Sequence, residues 1–324
     1  MNNKRFAFGI VMIVCGIVMA IWLAAWILPE AYYMSGEYGV WRQQKDYTES
    51  HHEGKTMLLL GDSRMKIDVN PQWLEQDAYS LALAGSTPIE AYYSLERYLA
   101  HNDNPSAVII GFAPTHLMYM ENYTNRGMYF HYYDSKTIDE INAEILHFGG
   151  KDYSTEALQH EYRLPIIYLS GILHSIGKGN VAINRQTYQE TAALDGGMLI
   201  KGTIAADKEV VPEETHDPGF KVLPVLDYYL GKTIELCKQK EIPVRIIQLP
   251  MSEYGVQRLR QSGYYGQYKS YMQDMGDKYG ILVESEIPVY EHDEFADGSH
   301  LNEIGTRRFT DYVQNMLNDR QGEK

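Results

Sequence analysis

Two short segments carry the residue types of a nucleophilic site. Leu60-Gly61-Asp62-Ser63-Arg64 closes a short apolar run, and Asp297-Gly298-Ser299-His300-Leu301-Asn302 precedes a helix-like segment near the C-terminus. A serine hydroxyl at its own pKa is a poor nucleophile and needs a base within reach. A histidine supplies one when a carboxylate accepts a bond from its Nδ1, because that fixes the tautomer and leaves Nε2 free. The spacing therefore predicts Ser63 as nucleophile, His300 as base and Asp297 as the orienting acid. Each segment alone has a plainer use, Ser63 as a helix cap and Asp297 as a turn or capping residue.

Residues so far apart in the chain meet only if regular elements bring their ends together. Residues 57–60, 79–84, 107–110, 244–249 and 281–283 read as short buried strands, several of them stopping at a glycine. Helical spacing marks 89–100, 155–176, 223–239 and 302–317. Alternation of this kind predicts a parallel sheet covered on both faces, with right-handed crossovers and ligands at the carboxyl ends of its strands. Both segments lie at element ends. Residues 115–220 form a long irregular stretch between the third and fourth strands.

The chain has 324 residues, 44% of them apolar, and a formal net charge of −14. This is enough for a full core and excludes disorder as the main state. The acidic balance argues against nucleic acid as a partner. Residues 6–28 carry no charge and follow Lys4 and Arg5. At about 1.5 Å per residue they reach roughly 34 Å, which matches a bilayer core of about 30 Å. The basic residues place the N-terminus in the cytoplasm and residues 30–324 outside, as a single-pass cell-membrane protein. A cleaved signal peptide would have a shorter apolar core, and Cys15 lacks the flanking residues of a lipoprotein site. The expected division is a cytoplasmic tip and anchor over 1–29, a juxtamembrane linker over 30–55, an extracytoplasmic domain over 56–318 and a polar tail over 319–324.

Gly61-Asp62-Ser63 after the first strand, with Asp297-x-x-His300 before the last helix, resembles the SGNH (GDSL) hydrolase superfamily. The resemblance covers about residues 55–318, apart from 115–220. It implies a three-layer, flavodoxin-like α/β fold with a five-stranded parallel sheet, here with one N-terminal transmembrane helix and a long insertion after the third strand. It also implies an oxyanion hole from the backbone N–H groups of Ser63 and Gly85 and a third donor on an asparagine. Where the family has Gly-x-Asn-Asp this chain has Gly111-Phe112-Ala113-Pro114. Either Thr115 or His116 replaces the asparagine, or the hole has two members.

The anchor, outward domain and insertion are similar to proteins that work beside membrane-bound O-acyltransferases. These include the D-alanyl transfer protein of teichoic acid synthesis and the alginate and cellulose acetylation proteins. The resemblance implies an acyl-serine on Ser63, acetyl or D-alanyl transfer to hydroxyls of a surface polysaccharide or teichoic acid, a membrane-bound acyltransferase partner and no cofactor. An SGNH esterase or deacetylase of surface glycans, and a non-catalytic polymer-binding partner, are the competing readings.

Other features read as structural. His292, Asp293, Asp297 and His300 lack metal-ligand spacing, so no metal is expected. Ser175–Asn180 lacks the full phosphate-loop spacing and reads as a loop. His51-His52 reads as a solvated linker pair and Cys237 as a buried thiol. Arg64 either binds an anionic acceptor or forms a surface pair. The tyrosines, 27 in all, offer flat faces for sugar rings as well as core material.

Overall fold

The computed structural model describes residues 3–28, 36–53, 56–206 and 208–318. In chain order the elements are α1 (Asn3–Ile27), α2 (Tyr38–Thr48), β1 (Met57–Gly61), α3 (Ser63–Asp68), β2 (Ala78–Ser80), α4 (Pro88–His101) and β3 (Val108–Gly111). Then come α5 (Ser135–His147), α6 (Ser154–Glu161), α7 (Pro165–Lys178), α8 (Asn180–Ala193), α9 (Pro224–Gln239) and β4 (Val244–Ile246). The rest are β5 (Met251–Ser252), α10 (Glu253–Ser262), α11 (Tyr264–Tyr279), β6 (Leu282–Val283), β7 (Val289–Tyr290) and α12 (Glu303–Asn318). They fall into two compact units. One holds residues up to Arg42 with Tyr123–Gln189, and the other holds Gln43–Asn122 with the chain from Glu190.

The second unit is the predicted α/β body. Its sheet is five-stranded and parallel, in the order β2-β1-β3-β4-β6, with a two-stranded pair β5-β7 beside it. Strand order reverses between β1 and β3, so their carboxyl ends flank the crevice where such sheets bind ligands. Alternate residues of β1 feed two cores. Leu58 and Leu60 join Leu95 and Tyr98 of α4 and Leu230 and Ile234 of α9, while Leu59 joins Ile109 with Phe309 and Val313 of α12. Each fully buried leucine contributes about 1.5–3 kcal/mol relative to exposure. Helix α4 starts where the sequence dictates: Thr87 caps it, Pro88 occupies the first turn, and Glu90 returns a bond to the Thr87 backbone.

The other unit contains α1, the helical part of the insertion and a tyrosine-rich core. Trp41 packs edge-on against Tyr132 at 5.1 Å, and Tyr129 stacks on Tyr168 at 5.4 Å. Tyr123, Tyr132 and Tyr133 of this unit are buried, as are Tyr264, Tyr265 and Tyr268 of the sheet unit, so these tyrosines are core rather than sugar-binding surface. Among the described residues α1 alone is long and apolar enough to cross a membrane.

Three expectations need correction. The stretch read as a juxtamembrane linker carries a helix, α2, over most of its described part; its inward residues include Gln43 and Gln44, and polar core positions hide a helical period. The separate insertion is Tyr123–Gln189 rather than 115–220. The flanking turns Pro114–Leu117 and Glu213–His216 belong to the sheet unit, where Leu223 donates to the Leu117 carbonyl at 2.9 Å. Ser175–Asn180 is no loop: it ends α7 on the left-handed Gly179 and opens α8. The predicted tail 319–324 lies outside the described residues, as do 30–35 and 54–55 of the linker.

Candidate active site

The nucleophile segment turns sharply at the end of β1. Gly61 pairs with Gly111 of β3, and a Cβ on Gly61 would fall against the Gly111 carbonyl oxygen and the Met65 Cβ. Asp62 then caps α3, its Oδ1 accepting from the Arg64 N–H at 2.8 Å. Its Oδ2 accepts from the Ala113 N–H at 2.7 Å. One buried carboxylate thus ties the carboxyl ends of β1 and β3 together, and Ser63 stands in the first turn of α3, where backbone N–H groups are unpaired by the helix itself.

The histidine segment is a tight turn fastened to both α3 and α12. Asp297 Oδ1 accepts from the N–H groups of Ser299 and His300 at 2.8 and 2.9 Å. Asn302 Oδ1 caps α12 through Ile304 and Gly305 at 3.0 and 3.1 Å. Thr306 donates to the Ile67 carbonyl at 3.2 Å and the Asn70 N–H to Thr310 at 3.0 Å. These bonds hold the turn over the serine.

All three predicted residues converge. His300 Nε2 lies 2.8 Å from Ser63 Oγ, and His300 Nδ1 lies 2.9 Å from Asp297 Oδ2. With the proton on Nδ1, the ring donates to Asp297 and presents Nε2 as acceptor to the Ser63 hydroxyl, the arrangement needed for general-base activation. Burial opposes the charged imidazolium, yet the bond to Asp297 and the charge of Asp68 raise the His300 pKa above its ordinary value. Burial pushes the Asp297 carboxyl up, but the His300 ring and two backbone N–H groups outweigh it and hold it at about 2.

Leu83 donates to the Gly61 carbonyl at 3.0 Å, which carries the chain after β2 along β1 to its end. There Gly85 has φ 72°, a left-handed conformation suited to glycine. Asn122 donates to its carbonyl at 2.9 Å. The Ala113 N–H is taken by Asp62. Thr115 and His116 line a cavity of about 320 Å³ with Tyr119, Glu213 and Asp217, and His116 Nε2 lies 3.6 Å from Asp62 Oδ2.

Arg64 is neither a surface residue nor an acceptor site. It is 4% exposed, and its Nη2 bonds Glu214 Oε2 at 2.8 Å in a buried ion pair. Burial disfavours its charge, but Glu214 and Asp62 outweigh that and raise its pKa. The side chain points inward because α3 turns that face toward the turn Glu213–His216. His292 Nε2 meets the Lys208 carbonyl at 2.7 Å, and His52 stacks on Tyr47 with ring centres 3.8 Å apart. Among the described residues no group of three or more His, Cys, Asp or Glu is placed to hold a metal ion.

Three neighbours escaped sequence reasoning. Glu214 comes from the stretch taken for insertion. Lys66 is buried and donates to the carbonyls of Ala82 and Gly196, and burial pulls its pKa down to about 7. Asp68 is fully buried; its Oδ1 accepts from the Leu301 N–H at 2.9 Å, and its Oδ2 has no partner among the described residues. For Lys66 and Asp68 the only sequence signal is that charges alternate with Met65 and Ile67 in Ser63-Arg64-Met65-Lys66-Ile67-Asp68.

Burial pushes the Asp68 carboxyl up to about 7, against the opposing pull of His300 and the Leu301 N–H. A carboxyl raised on folding contributes stability that is complete below its unfolded pKa, about 3.9, and is lost as pH climbs through the folded value. Asp68→Asn keeps an acceptor for Leu301 and removes the titration. It should flatten the decline of Tm between about pH 4 and pH 7; an unchanged profile would show that Asp68 does not titrate there.

No protein-family model matches the chain, and no curated protein matches it.

Proposed function

We propose that the chain is a membrane-anchored serine O-acyltransferase of the SGNH class, acting outside the cell on hydroxyls of a surface polysaccharide or teichoic acid. The observation that carries this reading is the 2.8 Å contact between His300 Nε2 and Ser63 Oγ, backed by Asp297. In this scheme α1 spans the membrane with its N-terminus inside, and a membrane-bound acyltransferase presents an acyl donor, acetyl or D-alanyl.

Ser63 Oγ attacks the acyl carbonyl while its proton passes to His300 Nε2. The tetrahedral oxyanion forms against the backbone N–H groups of Ser63 and Gly85, with Thr115 or His116 as third donor. Each such donor contributes about 2.7–4 kcal/mol by the cost of its removal. Collapse expels the donor's leaving group, which takes the proton from His300, and leaves the acyl-serine. A polymer hydroxyl then loses its proton to His300 and attacks that ester; collapse breaks the acyl–Oγ bond, Oγ takes the proton back from His300, and acylated polymer and free Ser63 result. Water as acceptor turns the same steps into hydrolysis.

A serine-directed fluorophosphonate should label the full-length protein on Ser63 alone, as read by peptide mass. Labelling elsewhere, or none, overturns the serine mechanism. His300 must be neutral to act, so labelling should rise with pH through its raised pKa. Asp297→Asn removes the charge that stabilises the imidazolium. The midpoint should then move to lower pH while the rate falls on the order of 10⁴-fold. A midpoint that stays put would show that Asp297 does not govern the ring. Acyl transfer to added polymer in preference to water separates transferase from esterase.

A further inference from the structure

We infer that helix α7 lies in the outer leaflet of the bilayer, its exposed face in contact with lipid acyl chains. The inference rests on α1 being the membrane span. Large apolar side chains left exposed outside α1 concentrate in residues 146–183. Within α7, Ile166, Leu169, Leu173 and Ile176 are exposed at 82, 40, 65 and 68%. Steps of three and four residues put all four on one helical face. Tyr168, Gly171 and Ser175 are its buried residues, and they fall on the opposite face. No charged residue occurs from Pro165 to Gly177, while Arg163 and Lys178 stand just outside the two ends.

A water-facing helix would normally place charges opposite its packed face. This one places isoleucine and leucine there, with cations only where they can reach the headgroups. At about 1.5 Å per residue a helix of this length extends roughly 21 Å, too short for a core of about 30 Å. It therefore lies along one leaflet and does not cross.

Its level is set by α1. Trp22 Nε1 donates to the Tyr162 carbonyl at 2.9 Å, the Arg163 guanidinium donates to the Ala25 carbonyl, and the same guanidinium stacks 4.6 Å from the Trp26 ring. Tryptophans near the end of a span mark the headgroup level, so α7 begins at that boundary. Its apolar face continues the lipid-facing surface of α1, whose side chains are exposed along nearly its whole length. That continuity assigns lipid as the occupant.

The test uses the full-length chain with Cys15→Ala and the buried Cys237 retained. Single cysteines at Ile13, Lys136, Leu173 or Ile176 carry an environment-sensitive nitrobenzoxadiazole dye. The proteins are reconstituted in phosphatidylethanolamine–phosphatidylglycerol vesicles containing doxyl-labelled lipid. Dyes at 173 and 176 should show blue-shifted emission and be quenched as strongly as the dye at 13; the dye at 136, on exposed Lys136 of α5, should show neither. Quenching at 13 with water-like emission at 173 and 176 overturns the inference and leaves the anchor standing. Water-like emission at 13 as well overturns the anchor reading and this inference with it. A blue shift in native membranes that is missing in the lipid vesicles assigns the face to a membrane protein and overturns lipid as the occupant.

Discussion

Ser63→Ala and His300→Ala should each reduce turnover on an activated ester by about 10⁴–10⁶-fold, and the double variant should lose no more than either single one. In the proposed reaction the hydroxyl and the imidazole act as one unit through the 2.8 Å contact, so removing either would abolish the acyl-serine route. What remains is the contribution of the oxyanion donors and of binding. Steady-state rates checked against the unchanged melting temperature of each variant make the measurement. Losses that multiply in the double variant would mean that the two residues act in separate steps, which the shared proton does not allow.

Glu214→Ala should destabilise the protein by about 3–5 kcal/mol, the usual cost of stranding a buried charge. At the scale of this chain that is a fall in Tm of roughly 6–20 °C. Arg64 has almost no access to solvent, and among the described residues its Nη1 already lacks a partner. Loss of Glu214 leaves the guanidinium beside Asp62 but without its direct hydrogen bond. The double variant Arg64→Met/Glu214→Met removes both charges and should recover most of the loss. The backbone bond from residue 64 to Asp62 survives in it. Calorimetry on the three proteins decides the matter: a double variant as unstable as Glu214→Ala would show that the pair stabilises more than its own desolvation costs.

The strands visible in the sequence are those whose cores are continuous apolar runs. Residues 57–60 and 107–110 match β1 and β3 within a residue. The runs 79–84 and 244–249 are longer than β2 and β4, because beyond them the chain follows its neighbour by scattered bonds, such as Leu81 to Leu59 and Ile247 to Ile110. The expected helix over 155–176 is two helices, since Pro165 cannot continue a helix and Arg163 before it has φ 47°. The buried face of α11 holds Tyr264, Tyr268, Met272 and Met275 at helical spacing, but tyrosines with polar tips and the glycines Gly266 and Gly276 made the segment a poor helix by composition.

The same division runs through the site. Asp297 and His300 share one turn, and Ser63 closes one strand, so local spacing was enough to find them. Arg64, Lys66 and Asp68 look solvated in a sequence. Their burial follows from the packing of α3 against α12 and against the turn that carries Glu214, which involves partners far along the chain. Sequence reading left Arg64 either on an anionic acceptor or in a surface pair, because charged side chains ordinarily stay in contact with solvent.

The contact between His300 and Ser63 closes a span of 237 residues. In the proposed reaction the imidazole that activates the serine sits in a turn fastened from far along the chain, by Asn302 capping α12 and by the bond from Thr306 to the Ile67 carbonyl of α3. On that reading, until α12 docks on α3 the Ser63 hydroxyl is an ordinary alcohol, and the proposed base reaches it only once that packing has formed.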